Sequence, residues 1–138
     1  MSKTIQTIQD ALLRAEANKP RVGGFPYLAE VLRQAGVTFN RWELPSCQST
    51  FETPDGAVVS QMPPLVSGMA EVPDFDREAL IQAIRTDQAG ESTFPEFLES
   101  TWKAGVVRYD VDFHARTVTY FGLSGEPYIE DYPAVTLD

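Results

Sequence analysis

Apolar residues in the first part of the chain recur at helical spacing. Ile5, Ile8, Ala11, Leu12 and Ala15 share one face, polar residues fill the other, and the pattern predicts a helix over roughly 4–17. After the breaker-rich KPRVGG, Phe25, Leu28, Ala29, Leu32 and Ala35 form a second stripe, closed by Gly36 as a left-handed helix stop. The period then drops to two. In VTFNRWEL, Val37, Phe39 and Arg41 alternate with Thr38, Asn40, Trp42 and Leu44, which predicts a strand. STFET and AVVSQ flank Pro54-Asp55-Gly56, where proline presets φ and glycine takes the left-handed position, so two more strands follow in a meander.

The second half follows the same order. Phe75, Ala79, Leu80, Ala83 and Ile84 predict a helix from Asp76 to about Gln88. Thr93 with Glu96 three residues on is a capping-box signature for another, whose buried face would be Phe94, Phe97, Leu98, Thr101 and Trp102. Beyond Gly105, Val107, Tyr109, Val111 and Phe113 alternate with Arg108, Asp110, Asp112 and His114. TVTYF, GLSG and EPYIEDY complete a second three-stranded meander.

At an offset of 69 residues, Phe25, Pro26, Glu30, Ala35, Gly36 and Val37 fall on Phe94, Pro95, Glu99, Ala104, Gly105 and Val106. The first helices superpose at the same offset, whereas STFET falls on TVTYF only with a one-residue slip. The expected fold is α+β, a tandem pseudo-twofold duplication of an α-α-β-β-β unit. The repeats span about 4–61 and 73–131, joined by the proline-rich stretch at about 62–72. Each unit is small for an independent core, so residues 1–138 are expected to form a single domain with one shared core. The pattern leaves open whether the two sheets join or stack.

Charge sharpens the division. Residues 1–69 carry six acidic and six basic side chains, while residues 70–138 carry fourteen and five, so the net charge of −9 lies wholly in the second half. Direct binding to nucleic acid or to an anionic membrane surface is not expected. The amino-terminal stretch has no signal-peptide pattern and no apolar run reaches spanning length, which predicts a cytoplasmic protein. Cys47 is the only cysteine, which excludes an internal disulfide, a thiolate zinc cluster and a CxxC redox pair.

Three groups of side chains could carry chemistry. Asp110, Asp112 and His114, at alternate positions on the polar face of one strand, are suitable ligands for a divalent metal, and a small metal-dependent hydrolase would use them. Glu126, Glu130 and Asp131 could add a carboxylate pair from the neighbouring meander. Trp42, Trp102, Tyr120, Phe121 and Tyr128 lie on or beside the meanders and could line a ligand pocket between the repeats, although Tyr120 and Phe121 must point to opposite faces. No nucleophile elbow, phosphate-binding glycine loop, Walker sequence, HExxH or EF-hand loop is present, and no catalytic residue or cofactor is expected.

The FP helix start, the run from Ala104 to Asp112 (AGVVRYDVD) and TVTYFG from Thr117 to Gly122 resemble the YdfO/YbcV-like family of small bacterial proteins of unknown function. The resemblance implies a bacterial, often prophage-associated setting and supplies no activity, cofactor or catalytic residue. Taken together, the expected function is a non-enzymatic binding or regulatory module for an unknown protein or small molecule, with a homodimer one form of assembly. The alternatives are the metal-dependent hydrolase and an acidic decoy for a basic partner, the latter requiring the acids of the second half to gather on one surface.

Overall fold

Local signals start and stop each helix in the computed structural model, which describes residues 2–137. The Ser2 hydroxyl accepts from Ile5 N at the start of α1 (Lys3–Asn18), and an Asp76 carboxylate oxygen accepts from Ala79 N at the start of α3 (Arg77–Gln88). Helix α2 (Gly24–Gln34) follows Gly23 and ends before Gly36, at φ 102°. Helix α4 (Phe94–Lys103) opens with the predicted capping box: Glu96 N donates to Thr93 Oγ1, and Thr93 N donates to Glu96 Oε1 at 2.8 Å. It ends before Gly105, at φ 89°.

The strands are β1 (Phe39–Glu43), β2 (Gln48–Thr53), β3 (Gly56–Gln61), β4 (Val106–Asp112), β5 (Thr117–Gly122) and β6 (Pro127–Asp131). They form one antiparallel sheet in the order β3-β2-β1-β4-β5-β6, so the meanders join edge to edge through β1 and β4. In that central pair Arg41 stands opposite Asp110, and these two residues are also repeat equivalents, 69 apart. Equivalent residues can touch only beside the symmetry axis, so the pseudo-twofold passes between them. Arg21 and Gly90, again 69 apart, mark it in the helical layer, where Arg21 Nη1 donates to the Gly90 carbonyl at 2.9 Å.

Every buried sheet position points to one face, and the helices cover that face. Trp42, Phe51, Tyr109, Val111, Val118 and Tyr120 pack there with Ile8, Ala29, Leu32, Leu80, Ile84, Phe97 and Leu98 in one cluster drawn from both repeats, and the polar Asn40 and Ser49 are buried as well. Among the described residues three aromatic contacts cross between the halves: Phe94 meets Trp42 edge-on at 5.1 Å, Phe25 meets Tyr132 edge-on at 5.2 Å, and Trp42 stacks on Tyr109 at 6.2 Å. Burial of a shared apolar cluster of this kind favours the two halves staying together.

Some local expectations change. Strand β2 maps onto β5 at the plain offset of 69, pairing buried Phe51 with buried Tyr120, so no slip precedes it. The extra residue lies in the following turn. Pro54 and Asp55 alone separate the paired Thr53 and Gly56, whereas Leu123, Ser124 and Gly125 separate Gly122 from Glu126. The register of β4 against β5 shifts between Val106 and Arg108, so Val106 takes the buried face in place of Val107. Phe94, expected inside, remains 40% exposed with only its edge against Trp42. No helix among the described residues is long and apolar enough to cross a membrane.

Candidate binding surface

Asp110, Asp112 and His114 were expected as one row on a strand face. Strand β4 ends at Asp112, and His114 lies in the turn that follows. The Asp112 Oδ1 atom accepts from His114 N at 3.0 Å and Ala115 N at 2.9 Å, so this carboxylate shapes the turn. Asp110, only 14% exposed at its side chain, accepts from Arg41 Nε at 3.1 Å. No group of three or more His, Cys, Asp or Glu able to hold a metal occurs among the described residues. The second trio also separates. Glu126 Oε1 accepts from Ser124 N in its own turn, Glu130 faces the helices and pairs with Arg85 at 2.7 Å, and Asp131 lies on the opposite face.

The five aromatic residues considered for a pocket occupy different places. Trp42 and Tyr120 are core residues. Tyr109 stacks on Trp42 at 6.2 Å and lies 5.4 Å from Tyr120, and Phe97 closes over both tyrosines at 6.4 and 6.5 Å. Burial pushes the phenols of Tyr109 and Tyr120 well above the ordinary tyrosine range, which keeps them neutral. Trp102 is partly buried on α4. Tyr128 faces α3, with the Arg77 guanidinium 5.0 Å above its ring and its hydroxyl donating to Glu130. Phe121 alone lies on the uncovered face of the sheet.

Two features lay outside the sequence reading. Asn40 Nδ2 donates to Ser49 Oγ at 2.8 Å and to the Thr50 carbonyl at 2.9 Å, while its Oδ1 accepts from Trp42 Nε1 at 2.9 Å. A buried polar triad is thus fully satisfied inside the aromatic core. Asp87, half-buried at the end of α3, has its carboxyl pushed up by burial, partly offset by the Ser92 hydroxyl that donates to it. Ser49 joins the triad from the neighbouring strand and Ser92 reaches Asp87 across the turn after α3, so neither pairing follows from a helical or two-residue period.

The uncovered face remains. Its register places three rows across six strands: Val59, Thr50, Arg41, Asp110, Thr119 and Ile129; Ala57, Glu52, Phe39, Asp112, Thr117 and Asp131; Gln61, Gln48, Glu43, Arg108, Phe121 and Pro127. At the centre both arginines approach Asp110, Arg41 at 3.1 Å and Arg108 at 3.4 Å. Each also lies over an aromatic ring, Arg41 at 5.4 Å from Phe39 and Arg108 at 4.3 Å from Phe121. Arg108 Nε is buried without a hydrogen-bond partner. Val59 and Ile129, 58% and 60% exposed, sit at opposite ends of the middle row. Two open hollows, about 300 and 250 Å³, lie beside β3 and α1 and beside His114, Thr38 and Arg33, away from the aromatic cluster.

The family described as "Protein of unknown function (DUF1398)" matches residues 23–131. Two proteins described as uncharacterized, Mb2035 of Mycobacterium bovis and Rv2012 of Mycobacterium tuberculosis, are each 53% identical to this chain over 135 residues, covering 98% of it and 82% of their own length. These matches support a family of unknown function, without the YdfO/YbcV-like name or a prophage setting.

Proposed function

The chain belongs to the DUF1398 family, whose description leaves its activity open, and from that premise we propose a non-enzymatic binding module whose uncovered sheet face receives a protein partner. The observation that carries this reading is the partition of aromatic residues between the two faces of the sheet. On the helical side Trp42, Tyr109, Tyr120 and Phe97 fill one another's space. On the other side Phe39 and Phe121, partly exposed under their arginines, and Val59 and Ile129, well exposed, belong to an uncovered surface that spans all six strands. A broad, open sheet face of this composition suits a macromolecule better than a small ligand, which needs a concave site to lose most of its water contact.

Charge narrows the partner. The face holds Glu43, Glu52, Asp110, Asp112 and Asp131 against Arg41 and Arg108, so a partner with apolar side chains flanked by lysine or arginine is favoured. An acidic decoy is supported less well, because the acids of the second half are dispersed. Asp76 and Glu96 cap helices, Glu130 pairs with Arg85, Glu99 pairs with Lys103 and Asp110 sits in the sheet centre. The YdfO/YbcV-like affiliation and a cytoplasmic setting belong to the same reading, supported by the runs from Ala104 to Asp112 and from Thr117 to Gly122.

In-cell crosslinking with the wild-type chain and with Phe121→Ser/Ile129→Ser tests the proposal. A specific partner is expected with the wild type. Its recovery should fall about tenfold in the variant and decline with added salt, while the circular dichroism spectrum stays unchanged. Equal recovery by both chains would reject the face as the binding surface.

A further inference from the structure

Tandem duplication supplies an internal comparison between the two edges of the sheet. Strand β6 is guarded: Pro127 has no N–H to offer, and Glu130 and Asp131 place charge along the strand. Its counterpart β3 reads Gly56-Ala57-Val58-Val59-Ser60-Gln61, with neither proline nor charge, and five of its six residues are exposed. Helix α1 reaches this strand near its own start, where Thr4, Ile5, Gly56 and Val58 help line an open hollow of about 300 Å³, and among the described residues no strand pairs with the outer edge of β3. An open, uncharged and β-branched edge is what strand pairing between chains requires, and proteins usually block one where pairing is harmful.

We infer that β3 is the self-association edge of this protein, pairing antiparallel with β3 of a second copy. Three observations select a second copy as the occupant. The first half of the chain is electrically balanced, so two copies of a molecule with net charge −9 meet through their neutral halves and keep their acidic halves at the far ends. The guarded β6 edge disfavours β3-to-β6 stacking, which would run on as an open filament, and leaves the isologous contact that closes as a dimer. The fold already uses this geometry once, where β1 and β4 pair across the internal pseudo-twofold. With Val59 on the new axis, Val58 meets Ser60 and Ala57 meets Gln61 of the other copy. The result is one continuous twelve-stranded sheet with all helices on one side. Nothing in this assignment depends on what the uncovered face binds.

Sedimentation velocity of the full chain at about 5–200 μM tests the inference, alongside Val59→Lys, Val59→Glu and their equimolar mixture. Dimer is expected for the wild type, monomer for each variant alone, since like charges then meet on the axis, and dimer again for the mixture. Hydrogen exchange at residues 57–61 should slow in parallel with dimer formation. Ala57→Lys provides a second edge variant if circular dichroism shows a position-59 variant to be unfolded. A wild-type monomer across the whole range, or a dimer that persists in both charged variants, would overturn the assignment.

Discussion

Asn40 uses its whole amide inside the protein, holding Ser49, the Thr50 carbonyl and the Trp42 indole at once. Replacing it with leucine would keep the volume and strand the indole N–H in an apolar core. Asn40→Leu is therefore expected to lower stability by about 1–3 kcal/mol, the cost of an unsatisfied buried group, with urea unfolding followed by tryptophan fluorescence as the measurement. Ser49→Ala should cost less, because Asn40 keeps its bond to the Thr50 carbonyl. The alternation of VTFNRWEL already places Asn40 and Trp42 on one side, and the structure buries both. Their partnership was not legible, because Ser49 reaches them from the next strand and a two-residue period says nothing about cross-strand neighbours. A different cause separates His114 from Asp110: alternation holds only as far as the strand does, and β4 ends where the Asp112 carboxylate turns the chain.

Elements show what duplication preserves and what it lets change. Gly36 and Gly105 hold matching positions with φ of 102° and 89°, and Cys47 and Arg116 match at 55° and 56° in the turns after β1 and β4. Around Gly36 the space for a Cβ is empty, whereas a Cβ on Gly105 would run into Phe75 Cα and the Asp74 carbonyl. Gly36→Ala should cost about 1–2 kcal/mol of backbone strain alone. Gly105→Ala should cost clearly more, since the segment leading into α3 has to move as well. Thermal unfolding of the two variants side by side checks the difference. Element order, caps and glycine stops were readable because each is written within a few residues. The bulge at Val106 and the longer β5–β6 turn were not, since both are set by register against a neighbouring strand.

For the molecule as a whole, the repeat was legible and the joining of its two sheets was not. Six similar strands can close either arrangement, and the decision rests on contacts such as Arg41 with Asp110 that lie 69 residues apart. Arg41→Asp would place two carboxylates at the centre of the sheet and is expected to cost on the order of 1 kcal/mol, a modest figure because the Arg41 side chain is 43% exposed. Exchanging both residues should recover only part of that loss, because the new arginine at position 110 would face Arg108 on its own strand. Chemical denaturation of the two single variants and the exchange measures the coupling. The pair also bears on the history of the chain. A half-length ancestor assembling as two identical copies would have had to place one residue against itself at this point, where arginine or aspartate would meet its own charge. Opposite charges became available only once the two halves were encoded separately within one gene. With Arg41 and Asp110 in place, an assembly of two copies of either half would set like charges against each other on the axis, a penalty that the fused chain avoids.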